Sequence, residues 1–453
     1  MCLSIWTVVD TISDFLLGVK QCLGLRPGPL GYLASMTVLH PFNWLKKKGY
    51  DHRIRYSVHE SMQSVREDIW RHWRSVPFGL TYRQLRANEQ ILSSQVRFWV
   101  VIFWDDDIPV GIAQFQLFRL DARSFAGAAQ QQGIFDRLEG KLKELLHRSV
   151  GLSKIWVLLC GDLYTTAPHA FWFLPEISMD RRWIYLMTAF RRVRQWVSDW
   201  VSPELMVIKD FSEGMLPSVD HLDDSGFHRI ATDPNMVLDI DPNWRSLGDY
   251  IEALNSRYRR QAATVIATSS GVRCEFLSRE AAIHHSARLD ALHEQVYEKA
   301  VIRYSAVPTG YFKLMASQMT DLFGLRGYFY NGILVGFVSY FWDSDSMQCQ
   351  YLGMDYAVKN QIPLYQLMLY DVLDVAIKKG VKRIEYGRTA SEIKASLGAH
   401  PVPTFAMVKH RNVIKDQLID LFVALMHAVE FKERHVYKTK GGDTPSIAEI
   451  HPE

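Results

Sequence analysis

At 453 residues the chain is long enough for two or three ordinary domains, and 48% hydrophobic against 22% charged residues excludes a disordered polypeptide. A net charge of +3 is too slight to imply a nucleic-acid partner, so no DNA is expected. The five cysteines (Cys2, Cys22, Cys160, Cys274, Cys349) are scattered and never spaced as CxxC. That excludes a disulfide framework and a thiolate zinc site, and fits a reducing compartment.

The amino terminus does not read as a secretory signal, because Asp10 and Asp14 interrupt its apolar run. Ile5, Val8, Ile12, Phe15 and Val19 instead share one helical face, and the basic cluster Lys46–Lys48 follows. Such a helix can dock on an anionic membrane surface or pack on the protein. Residues 57–97 read as helices and polar connections, with Val65, Ile69, Trp70 and Trp73 on one helix face. RFWVVIFW (97–104) and IPVGIAQFQLF (108–118) flank Asp105–Asp107, a strand–turn–strand signal.

A helix pattern covers 134–148, and KIWVLLC (154–160) has the apolar run of a strand covered on both faces. His169 lies in the following loop, where a lone histidine is more often structural. Residues 182–200 read as a helix whose Arg191, Arg192, Arg194, Trp196 and Trp200 can meet phosphate, a membrane surface or solvent. Leu205–Ile208 and Met236–Ile240 read as strands, and Trp244–Ser270 as helical with a basic patch at Ser256–Arg260. Helices are expected over 279–300 and 308–323. His284, His285 and His293 lack acidic or thiol partners at ligand spacing, so solvated histidines are expected and no metal.

YFYNGILVGFVSYFW (328–342) repeats FWDDDIPVGIAQFQL (103–117), with Gly111 and Gly336 225 residues apart. Ile108, Val110 and Phe115 match Ile333, Val335 and Tyr340, which implies two related α/β domains.

From Ile362 to Lys379 apolar residues recur at helical spacing, with Gly380 as the stop. Lys382–Tyr386 then alternates as a strand. Gly387 breaks it, Thr389 or Ser391 can cap a short helix carrying Glu392, Lys394 and Ser396, and Gly398 closes that helix. Thr404–Lys409 reads as another strand. Ionisable side chains on such a connection at a strand end are placed where open α/β sheets hold ligands. Segment 413–429 is amphipathic, with Ile414, Leu418, Leu421 and Leu425 on one face, and 441–453 reads as a loose tail.

The order helix, hairpin, strand, long helix, strand resembles the GNAT acyltransferase superfamily. There the second strand begins at an Ile-or-Leu, Val, Gly motif, and a fourth strand splays to admit acyl-CoA. The corresponding residues are Gly327–Tyr330, Leu334–Trp342 and Met347–Asp355. Tyr386-Gly387-Arg388, followed by a short helix with Lys394 and then Gly398, is more specifically similar to the Fem-type and cellulose-biosynthesis-type branch, as is the Arg257–Arg260 helix. The resemblance covers about 244–410, and 95–240 as a degenerate copy.

The resemblance implies an α/β fold of two GNAT-like domains, each a mixed, mostly antiparallel sheet flanked by helices, with amphipathic helices at both ends. Its segments would be 1–56 (helix and basic linker), 57–240, 241–412 and 413–453. It implies N-acyl transfer from an acyl thioester, acyl-CoA or an acyl carrier, to an amine of a lipid or cell-envelope precursor such as a sphingoid or amino-acid lipid, and a cytoplasmic protein that can work at the inner face of the plasma membrane. Alternatives are Fem-like aminoacyl-tRNA-dependent transfer to a peptidoglycan precursor, and a non-catalytic binding protein. The superfamily's glycine-bearing CoA-pyrophosphate loop is replaced by Ala357–Pro363, which has no glycine. Lys359, Asn360 and Gln361 there, with the helix amino terminus behind them, are the candidate donor contacts. Lys394, Glu385, Asp355 and Tyr351 are candidate catalytic residues: an oxyanion or phosphate donor, two possible bases and a hydroxyl donor. Glu392, about 100° away from Ser391 on the helix, is expected to face solvent. Arg388, Tyr386, Ser391, Tyr304, Arg257 and Arg259 are candidate substrate contacts. No GxSxG, HExxH or P-loop motif is present.

Overall fold

The computed structural model describes residues 55–74, 76–92, 96–121, 154–165, 170–300, 307–319, 321–413, 415–417, 419 and 434–438. The amino-terminal helix, the 134–148 helix, His169, Tyr304, most of 413–429 and the 441–453 tail lie outside the described residues. Among the described residues no helix is long and apolar enough to cross a membrane.

The first half supplies β1 (Arg55–His59), β2 (Arg97–Asp105), β3 (Ile108–Asp121), β4 (Lys154–Cys160), β5 (Phe171–Phe173), β6 (Leu205–Phe211) and β7 (His228–Asp239). The second supplies β8 (Val272–Phe276), β9 (Phe323–Tyr330), β10 (Ile333–Trp342), β11 (Ser346–Met354), β12 (Arg383–Glu385) and β13 (His400–His410). All join one sheet in the order β1-β2-β3-β4-β6-β13-β7-β12-β11-β10-β9-β8, with β5 beside β3. β13 therefore sits between two first-half strands, antiparallel to both. Its Phe405 and Met407 enter the first core, while Ala399 just before it enters the second.

Both repeated hairpins form. Asn331 and Gly332 both take positive φ (52° and 78°), the two-residue turn that matches strand twist. Ile108 and Ile333 open their strands at 58% and 60% exposure, and Phe115 and Tyr340 are buried. The repeat in the sequence is a repeat in space.

Helices α1 (Tyr82–Leu92), α2 (Met179–Ser198) and α3 (Val219–Ser225) belong to the first half. Residues 57–81 depart from the helical expectation: they hold β1 and short 3-10 turns, and Ile69 and Trp73 pack on Val100 and Ile112 from those turns. α2 lays Leu186, Phe190 and Val193 on Phe115 and Ile208.

The second half adds α4 (Leu247–Ala253) and α5 (Ser256–Thr268), where one helix was expected. The break is chemical: Leu254 and Asn255 take extended backbone, and the Asn255 side chain caps α5. The helix expected over 279–300 is likewise two, α6 (Arg279–His284) and α7 (Ser286–Lys299), and α8 spans Tyr311–Gln318. α9 (Leu364–Lys379) ends at Gly380 in the left-handed region, as its sequence implies. Asp371 fastens α9 to β9, accepting from Arg326 Nε and Nη2 at 2.9 and 2.6 Å and from the Tyr328 hydroxyl at 2.9 Å. α6–α8 pack Leu289, Leu292 and Phe312 on Phe337 and Phe341, while α4, α5 and α9 pack with Tyr340 and Ile384 in a separate core.

α10 (Ser391–Ala395) follows β12. Neither Thr389 nor Ser391 caps it. Ala390 takes the cap position at φ 54° with no side-chain hydrogen bond, so the turn is held by its tertiary contacts.

Candidate active site

The site begins where two parallel strands part. β11 and β12 pair from Ser346–Arg383 to Gln348–Glu385, and there the pairing stops while β11 runs on to Met354. Beyond Glu385 the chain turns onto β7, with the Tyr386 N–H donating to Met236 O and the Met236 N–H to Gly387 O. Gly387 permits this at φ +82°. A bulge puts an extra residue on β11 between Cys349 and Leu352. Cys349 therefore joins the core of α9, and Tyr351 joins that of α7 and α8.

The first half has the same parting strands, β4 and β6, after Cys160 and Ile208. There the gap is filled. Lys209 Nζ donates to Asp162 O at 2.8 Å and to Thr165 O at 2.7 Å.

Lys394 on α10 is 3% exposed, and its Nζ donates to the Gly387 carbonyl at 3.1 Å. Burial pulls its pKa down from 10.5 to about 8, and the neighbouring Cys349 thiol opposes that slightly. Burial in turn pushes the Cys349 thiol up to about 12. The amine is thus a weakly held proton in a dry place.

A polar chain continues from it. Gly387 N–H donates to Asn235 Oδ1 at 3.1 Å, and Asn235 Nδ2 donates to Glu385 at 3.0 Å. Gln348 Nε2 donates to the same carboxylate at 2.8 Å, and Gln350 to Gln348 at 3.1 Å. Arg388 pairs with Asp210, which sits at φ +64° on β6 and also meets Lys209 at 3.2 Å. The site therefore spans both halves.

The other residues singled out in the sequence are placed differently. Asp355 caps the 3-10 turn at Tyr356–Val358, accepting from Ala357 N–H at 3.0 Å and from Arg288 at 2.7 Å. The backbone N–H and then the arginine hold its carboxyl below the usual range, so it is a poor proton acceptor. Tyr386 is buried and its hydroxyl donates to Leu369 O at 3.1 Å, fastening β12 to α9. Tyr351 donates to Tyr164 O of the first half. Ser391 is partly exposed at the start of α10, while Glu392 is exposed and pairs with Arg434 at 2.5 Å. Arg259 closes the end of α4 through Leu254 O at 2.8 Å, and the Arg257 guanidinium lies 5.6 Å from the Tyr258 ring centroid. Both arginines spend these contacts on α4 and α5.

Lys359, Asn360 and Gln361 are exposed. The N–H groups around them are turned inward: Lys359 donates to Tyr356 O, and Gln361 and Ile362 both donate to Val358 O. A pyrophosphate needs such donors pointing out, and these three N–H groups do not supply them. Among the described residues no group of three or more His, Cys, Asp or Glu could hold a metal ion.

Sequence reasoning missed Asp210, Asn235, Gln348 and His293. His293 is not solvated. It lies four residues after Leu289 on the stripe 289, 292, 293, 296, a helical spacing that could have placed it inward.

Each half holds an antiparallel run (β1–β4, β8–β11), then α2 or α9, then a parallel strand leaving its neighbour. The fold is GNAT-like, in two copies. No family model and no curated protein matches the sequence. Similar solved structures include FemX (10% identity, TM-score 0.47, 78% of this chain and 96% of that one). A tandem GNAT protein from the clavulanic acid biosynthesis pathway is similar at 10% identity and TM-score 0.46, over 79% of this chain and 99% of that one. A GCN5-related N-acetyltransferase from Sphaerobacter thermophilus has 9% identity and TM-score 0.37, over 80% and 96% of the two chains.

Proposed function

We propose that the chain is an N-acyltransferase whose reacting centre lies in the opening between β11 and the turn Glu385–Arg388. The observation that carries this reading is Lys394, a buried amine at the point where the parallel strands part, tied by a single hydrogen bond to Gly387 O. Below a pH of about 8 the amine is protonated. It then offers two N–H groups with no acceptor among the described residues, in a site that excludes water. Preorganised charge of that kind stabilises the oxygen of an acyl group under attack. The acceptor nitrogen bonds to the acyl carbon, the carbon–sulfur bond of a thioester or the carbon–oxygen bond of an aminoacyl ester breaks, and the proton that the nitrogen sheds ends on the departing sulfur or oxygen.

We favour an acceptor amine on a lipid or envelope precursor at a membrane face, on the strength of the aromatic-rich composition and the apolar faces read in the two terminal segments. The inward-turned loop at Tyr356–Ile362 favours a donor other than acyl-CoA, which keeps an aminoacyl ester beside an acyl-carrier thioester.

The test is thermal stability and product formation with palmitoyl-CoA, a palmitoylated acyl carrier protein and charged tRNA. A donor present at 100 times its Kd should stabilise the chain by about 2.7 kcal/mol. Absence of both a shift and transfer with all three overturns the proposal.

A further inference from the structure

The opening has a second polar centre, on the side of β11 that faces α7 and α8. His293 Nδ1 lies 3.2 Å from the Leu352 carbonyl. A carbonyl only accepts, so Nδ1 carries the proton and Nε2 presents a lone pair. That Nε2 is buried and meets no hydrogen-bond partner among the described residues. The same holds for the Tyr311 hydroxyl and for Thr165 Oγ1, on residues 2% and 1% exposed.

Two of these orphans flank Tyr351, and the third follows the residue to which Tyr351 bonds. The His293 and Tyr311 rings both stand edge-on to Tyr351, with centroids at 5.1 and 5.6 Å. Tyr351 donates to Tyr164 O, next to Thr165. Asp162 stands beside them, held by Asn88 at 2.9 Å, by the Tyr164 N–H at 3.0 Å and by Gln116 at 3.3 Å. Buried polar atoms are nearly always satisfied, so three without partners around one tyrosine mark a place for a polar guest. A lone pair, two hydroxyls and a nearby carboxylate suit a donor-rich guest, a primary amine. Tyr351 and Leu352 lie on the part of β11 that β12 no longer pairs, two residues along the strand from Cys349, which faces the other core beside Lys394.

We propose that His293 Nε2, the Tyr311 hydroxyl and Thr165 Oγ1 seat the acceptor's amino group, and that Nε2 takes the proton this nitrogen sheds on acylation. The inference rests on the acyltransferase reading. As the carbon–nitrogen bond forms and the carbon–sulfur bond breaks, the N–H proton passes to Nε2. The imidazolium then returns it to the departing thiolate. Burial depresses the proton affinity of His293, against the Leu352 carbonyl, Asp290 and Glu294, so the ring starts neutral. The groups facing it are Asp290 and Glu294 on its own helix, Tyr311 on α8 and Tyr351 on β11, with Asp162 and Tyr164 of the first half beside Tyr351 and Lys313 beyond Asp290.

The test is long-range proton–nitrogen NMR of the histidine-labelled full chain, titrated with ethanolamine as the amine probe. We expect the Nδ1–H tautomer in the free chain and a shift of the Nε2 resonance on titration. Tyr311→Phe should weaken ethanolamine binding roughly five-fold, the worth of one hydrogen bond, without lowering thermal stability. An unmoved Nε2 resonance overturns the proposal. So does a Tyr311→Phe variant that loses stability with unchanged binding, because the hydroxyl then serves a water-filled structural cluster. Binding without transfer from any donor sinks the acyltransferase reading and keeps the amine seat. Transfer whose pH–rate profile is untouched by His293→Gln sinks the seat and keeps the acyltransferase.

Discussion

Replacing Lys394 by methionine should make this protein more stable at neutral pH. The fall of its pKa from 10.5 to about 8 amounts to about 3 kcal/mol of unfavourable burial, at 1.36 kcal/mol per pKa unit. Methionine fills a similar volume without the charge, and loses the hydrogen bond to Gly387 O, which takes back about 1 kcal/mol. The net gain is about 2 kcal/mol at pH 7. Its pH dependence is the sharper signature. Between 8 and 10.5 the unfolded lysine holds more protons than the folded one, so the parent gains stability as pH rises through that window. The variant has no such group, so its advantage should vanish within that window and turn into a deficit of up to about 1 kcal/mol, the lost hydrogen bond, by pH 10.5. Urea unfolding of both proteins at pH 7, 9 and 10.5 measures this. A methionine variant less stable at pH 7, or a difference that does not change with pH, would show that the charge is compensated and the amine structural. Transfer activity should disappear in either case.

Arg388→Ala should cost about 2 kcal/mol in denaturant unfolding. That is below the 3–5 kcal/mol of a fully orphaned buried charge, because Lys209 still meets Asp210. Asp355→Asn should cost about 1 kcal/mol above the ordinary carboxylate pKa and progressively less as pH falls through the depressed folded value. Transfer should stay within a few-fold of the parent; a large loss of rate in that variant would return Asp355 to the reacting centre. Gly398→Ala combines φ +94° with a Cβ driven into the Tyr437 ring. A loss of about 1–3 kcal/mol is expected. Faster hydrogen exchange at the Lys438 N–H, which bonds to Ala253 O, should accompany it, and unchanged exchange would count against the clash.

Local signals carried far in this sequence. The polar turn at Asn331-Gly332, the apolar run 154–160 and the periodic stretch closed by Gly380 each contain their own instruction, and β10, β4 and α9 follow them. What the sequence hid depends on distant chain. Nothing near Phe405 states that it will pair with Phe211, and nothing near Arg388 names Asp210 as its partner. Trp70 and Trp73 have the spacing of a helix face, yet their indole N–H groups reach Leu80 O and Pro109 O from short 3-10 turns. At Asp355 and Tyr386 the residue types suited catalysis, and only the contacts revealed a cap and a fastener.

The position of β13 governs how the molecule can be made. A ribosome releases β6 and β7 long before the strand that belongs between them, so the middle of the sheet is its last part to close. Until then both strands present open edges, the feature that invites pairing with another chain. The pairings that close the gap, such as Thr232 with Thr404, span most of two hundred residues and are slow to find. Cutting the chain after β7 would leave β6 and β7 with no strand to join them. The nascent protein is thus exposed to misassembly from the synthesis of β6 and β7 until β13 emerges, and its demand for chaperones should track that interval.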